Sequence, residues 1–104
     1  MKELTFIGSS LADLTSFPEE VKRLIGFELW QVQLGAMPSD FKPMPTVGAG
    51  VYEIRIKLHG QWRVIYIAKH TKAVYVLHCF LKTTPKTAHL DIDLAIKRYK
   101  LIGA

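Results

Sequence analysis

The chain has a single cysteine, Cys79, set inside an apolar and β-branched stretch. A lone thiol there cannot close an internal disulfide and reads as a small apolar side chain rather than a nucleophile. No apolar run approaches the ~20 residues of a membrane helix. The opening Met1-Lys-Glu-Leu-Thr-Phe-Ile-Gly8 is too short in apolar residues for a secretory signal and lacks a small-residue cleavage site, so a cytoplasmic chain with no membrane partner is expected. Also missing are a G-x-x-x-x-G-K phosphate loop, a G-x-G-x-x-G turn after a strand, any C-x-x-C, and any histidine pair at ligand spacing. His59, His70, His78 and His89 are scattered over two turns, a strand and a helix start, so neither a metal site nor a cofactor is expected.

Acidic residues are scarce as well. Fourteen Lys plus Arg face nine Asp plus Glu, a formal charge of +5. Such a balance serves solubility in many proteins and also suits an anionic partner such as nucleic acid. Placement favours the partner: the first twenty residues carry Lys2 as their only basic side chain against four acids, whereas cations recur from Arg55 to Lys100. With 104 residues, 49% of them hydrophobic and 22% charged, residues 1–104 read as one globular domain.

What is present is organised around Val51 to Lys82. Val51-Tyr-Glu-Ile-Arg-Ile-Lys-Leu58 alternates, with Tyr52, Ile54, Ile56 and Leu58 on one face and Glu53, Arg55 and Lys57 on the other. After the turn His59-Gly60, Gln61 to Ala68 is apolar on both faces, as a central strand would be. Lys69-His-Thr-Lys72 leads to a third strand, Ala73 to Lys82. This meander is expected to gather Arg55, Lys57, Arg63 and Lys82.

Before it, Leu4–Ile7 reads as a first strand added to the meander. Ser9 or Ser10 is expected to cap a short helix carrying Leu11, Leu14 and Phe17. Pro18 to Leu34 reads as a helix about 25 Å long, with Val21, Leu24, Ile25 and Val32 on its inner arc. Glu28 falls on that arc too, where it either reaches water at the margin or pairs with Arg55 or Arg63. Phe27, Trp30 and Leu34 point elsewhere: they fill a second contact with the short helix and loop, or form an apolar patch for a partner protein. Residues 35–50, rich in glycine and proline, read as a long ordered loop. Ala88 to Lys100 reads as a last helix, with Ala88, Ile92, Ala95, Ile96 and Tyr99 inward and Thr84 before Pro85 as a cap and first-turn pair. The order β-α-α-β-β-β-α predicts an α+β domain with its helices on one face of a small, mainly antiparallel sheet.

Arg55, Lys57, Arg63, Lys82 and Lys86, with few carboxylates nearby, suit a phosphodiester: guanidinium groups grip phosphate bidentately and stabilise charge on its oxygens. RNA supplies its own nucleophile in the 2′-hydroxyl, so lysine, arginine or tyrosine can assist cleavage without a metal. A basic sheet face that binds nucleic acid without cutting it fits the same residues. His78 shares side-chain parity with Phe80 and Lys82, and either faces the active surface or is a hydrogen-bonded, partly buried histidine.

The runs Gly50-Val-Tyr-Glu-Ile-Arg55, Trp62-Arg-Val-Ile-Tyr66, Val74-Tyr-Val-Leu-His-Cys-Phe80, Lys82-Thr-Thr-Pro-Lys-Thr87 and Asp91-Ile-Asp-Leu-Ala95, with Arg98-Tyr99, are similar to the phage-derived, HigB-like branch of the RelE/ParE toxin superfamily. Phe17-Pro-Glu-Glu20 and Gln33-Leu-Gly35 resemble it too. The resemblance implies a RelE-like fold and a type II toxin that cleaves mRNA on the ribosome. It further implies neutralisation by a HigA-like helix-turn-helix antitoxin in a toxin–antitoxin hetero-oligomer. It makes Arg55, Arg63 and Lys82 the catalytic or phosphate-contacting residues and Tyr99 a match to a C-terminal tyrosine of some relatives. Lys57, Lys86 and His78 are then RNA contacts. Two departures stand out: Glu53 where RelE places a lysine, and Lys82 in place of an arginine. Glu53 then acts as base, or pairs with Arg55, or makes a surface ion pair of small consequence. Two other functions share the fold: gyrase inhibition of the ParE type, and non-catalytic binding of nucleic acid or antitoxin.

Overall fold

The computed structural model describes residues 1–103. Its elements are β1 (Glu3–Phe6), α1 (Ser10–Thr15), α2 (Glu19–Gln33), β2 (Phe41–Pro43), β3 (Val51–Lys57), β4 (Gln61–Ile67), β5 (Ala73–Leu81) and α3 (His89–Leu101). The strands form one mixed sheet in the order β1-β5-β4-β3-β2. All neighbours are antiparallel except β1, which lies parallel to β5. The α+β class and the mainly antiparallel sheet are those expected. β2 was not expected, because Pro43 inside a glycine- and proline-rich stretch hides it. An edge strand tolerates that proline, since its missing N–H would face away from the ladder.

The helices do not share one face. Val21, Ile25, Leu29 and Val32 of α2 pack with Leu14 and Phe17 on Ile54, Ile56, Trp62, Val64, Tyr66, Val74, Val76 and Cys79. On the opposite side, Ile92, Ala95, Ile96 and Tyr99 of α3 close a second core with Met44, Val47, Val51, Ile65, Ile67, Leu77 and Phe80. The reason lies in β4, whose buried residues alternate between the two clusters, so both faces of the central strand need cover.

Several details of the helices also differ from expectation. Leu29, 1% exposed, takes the inner position expected of Leu24, which is 43% exposed. Glu28 neither reaches water nor meets a sheet cation. It is buried, and its carboxylate accepts from the Ser39 backbone N–H (2.6 Å) and hydroxyl (2.9 Å), which pins the loop after α2. Phe27, Trp30 and Leu34 stay about half exposed, so the second internal contact is not made. Helix α1 has Ser9 at its N-cap without a side-chain cap bond. Ser10 instead donates to the Val76 carbonyl. Helix α3, His89–Leu101 with Ala88 as its N-cap, lies where the sequence places it, but Thr84 and Pro85 do not cap it: residues 84–88 form an irregular segment ahead of it.

Strand β5 carries one extra residue. Ile65 pairs with His78 and the next residue, Tyr66, pairs with Val76, so Leu77 is bulged out of the ladder. A bulge of this kind moves every following side chain to the other face of the strand. Thus Leu77 and Phe80 join the α3-side core while Val76 and Cys79 join the α2-side core.

Candidate functional site

The α3 face of the sheet can be followed row by row across β3, β4 and β5. Val51, Ile67 and Tyr75 form a row covered by α3. Glu53, Ile65 and His78 form the next, and Arg55, Arg63 and Phe80 the one after. In the last, Lys57 pairs with Gln61, whose carbonyl accepts from the Lys82 backbone N–H at 2.7 Å. The first turn of α3 reaches His78 through Asp91, burial falls from that row to the last, and the cations occupy the less covered end. Lys57 is exposed and Lys82 half-buried.

Arg55 and Arg63 are directly opposed on neighbouring strands. Like charges in that relationship are unfavourable, and here each guanidinium has its own carboxylate. Arg55 donates from Nε (2.9 Å) and Nη2 (2.7 Å) to Oδ1 of Asp40, in the loop entering β2, and this pair is about one-third exposed. Arg63 is buried at 3% exposure. It donates to the Trp62 carbonyl and to Oε1 of Gln61, both at 3.0 Å, while its Nε lies 3.5 Å from Oε1 of Glu53 without a hydrogen bond. Burial draws the Arg63 guanidinium pKa below its ordinary value, the Glu53 carboxylate opposes this, and the charge of Arg55 adds to the lowering. Arginine nonetheless stays protonated at physiological pH.

Glu53 is the inner member of the group. It is 1% exposed, and its second oxygen accepts from the Thr87 hydroxyl at 3.0 Å. It therefore faces Arg63 rather than Arg55, and it is no surface pair. A carboxylate with one oxygen taken by Thr87, the other facing Arg63 and no access to solvent is poorly placed to take a proton from a substrate, and it stands as the counter-charge behind Arg63.

His78 is nearly buried too. Its Nε2 donates to Oδ1 of Asp91 at 2.7 Å, its ring stacks on Phe80 at 4.7 Å between centroids, and its Nδ1 has no partner among the described residues. That arrangement ties the first turn of α3 to β5, and leaves the ring behind Phe80 rather than open to RNA. Tyr99 stands apart from the arginine row, in the α3-side core, with its ring against Gly48 and under the ammonium of Lys69 at 5.9 Å. Lys86 is exposed on the segment before α3. Thus the fold brings together Arg55, Lys57, Arg63, Lys82 and Glu53, and leaves Tyr99 outside. Among the described residues, no group of three His, Cys, Asp or Glu side chains is placed to hold a metal ion, and no helix is long and apolar enough to cross a membrane.

Sequence reasoning missed Asp40, Gln61 and Thr87. Gln61 was within reach, since it precedes Arg63 by two and so shares its face. Asp40 and Thr87 sit in irregular segments, where no periodicity tells which way a side chain points.

Two comparisons bear on these residues. The family described as phage derived protein Gp49-like (DUF891) matches residues 12–100, which span α2, every strand from β2 to β5 and nearly all of α3. No curated protein matches the chain.

Proposed function

We propose that this chain, which belongs to the phage-derived Gp49-like family, is a HigB-like toxin of a type II toxin–antitoxin pair that cleaves mRNA on the ribosome. The observation that carries the reading is the opposed Arg55–Arg63 pair, each arginine facing its own carboxylate, with Lys57 and Lys82 beside them and neither lysine in a salt bridge among the described residues. A protein that needed this surface only for folding has no use for two opposed guanidinium groups. A phosphodiester does.

In this mechanism the 2′-hydroxyl of the RNA attacks the adjacent phosphorus. Its proton leaves as the new P–O bond forms, the bond to the 5′-oxygen breaks, and that oxygen takes up a proton. The products are a 2′,3′-cyclic phosphate and a 5′-hydroxyl end. Arg55, in a partly exposed pair, exchanges Asp40 for the phosphate oxygens. Arg63, fixed by Gln61 and the Trp62 carbonyl and backed by Glu53, supplies a pre-organised positive charge for the developing dianion. Lys57 and Lys82 are the groups at hand for proton transfer, an effect of about 10²–10⁴-fold where the donor is well placed. Aligning the 2′-hydroxyl with the leaving oxygen falls to the ribosome, which makes the free RNA a poor substrate. The partner is a HigA-like helix-turn-helix antitoxin, and the half-exposed Phe27, Trp30 and Leu34 offer α2 as an apolar surface for protein contact.

The test is primer extension on mRNA in a reconstituted translation reaction, with and without ribosomes, comparing wild type with Arg63→Ala and Lys82→Ala. New ends that require ribosomes and vanish in the variants are expected. Because Arg63 is buried, the half-buried Lys82 supplies the variant in which folding is preserved. Arrested translation or growth with intact mRNA would overturn the nuclease and direct attention to gyrase or to binding alone.

A further inference from the structure

A groove of about 1160 Å³ opens beside the arginine row, between the Lys42–Thr46 stretch on one side and the segment from Thr84 to His89 on the other. Its position is set by the sheet. Lys42 of β2 pairs in register with Glu53, so its side chain leaves the sheet on the same face as Arg55 and Arg63, and Thr87, on the far wall, is the residue that holds Glu53. From β4 to β2 is two strand spacings, about 10 Å, so the groove begins immediately next to the phosphate site. Sites for drug-sized ligands run to ~300–1,000 Å³, so this one takes more than a single nucleoside.

Its chemistry is sorted into floor and lips. Met44 and Ile92 provide an apolar floor, with proline rings at Pro43, Pro45 and Pro85. Lys42 and Lys86 stand exposed on opposite walls, and among the described residues neither forms a salt bridge and no carboxylate lines the groove. An apolar floor with a cation on each lip matches a single-stranded nucleic acid, whose bases rest on the floor while its phosphates meet the ammonium groups.

We propose that this groove binds the stretch of single-stranded RNA adjoining the cleaved bond, with Lys42 and Lys86 on its phosphates and the Met44–Ile92 floor beneath its bases. The inference rests on the nuclease reading for the identity of the chain that enters, but its binding step can be measured alone. Continuity with the arginine row favours RNA over an acidic peptide.

The experiment measures fluorescence anisotropy of a labelled oligouridylate carrying 2′-deoxy sugars, which cannot be cut, over a range of salt concentrations. Wild type, the double variant Lys42→Ala/Lys86→Ala, and Thr46→Trp, which fills the groove without changing charge, are compared after thermal melts establish that each is folded. The double variant is expected to bind roughly tenfold more weakly and to lose about 1.4 from the slope of log affinity against log salt, the value for two single-strand phosphate contacts. Thr46→Trp is expected to bind weakly with its salt slope retained. Unchanged affinity in both variants overturns the groove even if wild type cuts mRNA. Oligouridylate binding through the groove by a protein that leaves mRNA intact retains the groove and removes the nuclease instead. Poly-glutamate bound as tightly as the oligouridylate overturns the assignment to RNA.

Discussion

Arg98 of α3 donates from Nη1 to the carbonyl of Leu77 at 2.9 Å, and Leu77 is the extra residue of the bulge in β5. The contact ties the second core to the placement of the cations. Phe80 and Lys82 follow the bulge, and without it their side chains would emerge on the α2 face, away from Arg55 and Arg63. Arg98 also donates to the Ser9 hydroxyl at 2.8 Å, and so joins α3 to the start of α1 around the edge of the sheet.

Substituting Arg98→Ala leaves the Leu77 carbonyl without its partner in a buried setting, a loss of about 1–3 kcal/mol. Urea denaturation is expected to show that loss, with Arg98→Lys intermediate. A variant as stable as wild type would mean that the bulge holds without the guanidinium.

Glu53→Ala removes the carboxylate behind a buried arginine. Breaking a buried pair from one side costs about 3–5 kcal/mol, because the remaining charge is left uncompensated. Glu53→Gln, which can still accept from Thr87, should be the milder change. If Glu53→Ala unfolds at the urea concentration of wild type, Glu53 does not hold Arg63.

The Asp40–Arg55 pair is different, being partly exposed and worth about 0–1 kcal/mol to folding. Asp40→Asn is therefore expected to leave stability nearly unchanged and to free Arg55 for phosphate. Binding of a 2′-deoxy oligonucleotide should tighten several-fold at low salt, and the gain should fade as salt is raised. Weaker binding would show that Asp40 orients Arg55 rather than competing with the ligand.

Burial, with a smaller contribution from the Asp13 carboxylate and against the opposing charge of Arg98, pushes the Cys79 thiol from 9.0 up to about 12. In the unfolded chain the thiol ionises first, so above pH 9 the folded state holds a proton that the unfolded state has released. The contribution to stability is complete below that pH and is lost on the way to pH 12, by at most about 1.4 kcal/mol per pH unit. Tyr66, whose phenol burial also raises, acts in the same direction at higher pH. Urea melts at several pH values should fall more steeply for wild type than for Cys79→Ala between pH 9 and 11. Parallel curves would refute the thiol's part.

Tyr99→Phe is expected to leave cleavage and stability unchanged, since the hydroxyl makes no hydrogen bond among the described residues and the ring sits against Gly48 rather than the arginines. Gly48→Ala would bring a methyl carbon to 2.5 Å from that ring, so the ring must shift, at about 1 kcal/mol or more for overpacking. A large fall in cleavage by a fully folded Tyr99→Phe protein would return the tyrosine to the site.

The sequence by itself determined every strand except β2, and which side chains share a face of β3 and β4, because a period of two is a local property of extended backbone. It therefore placed Arg55 and Lys57 on one face and Arg63 on an alternating position of a strand buried on both sides. That same apolar alternation in β4 was the readable sign that helices cover both faces, although the element order alone suggested one. Tertiary structure decided what depends on contacts distant along the chain. The pairing of Leu77 with nothing on β4 turned Phe80 and Lys82 toward the arginines. The packing of α3 buried Glu53 beneath Thr87 and drew His78 to Asp91. The return of the loop through β2 brought Asp40 to Arg55 and opened the groove beside them. None of these has a period to read, since each is settled by which buried polar group finds a partner once the sheet has closed.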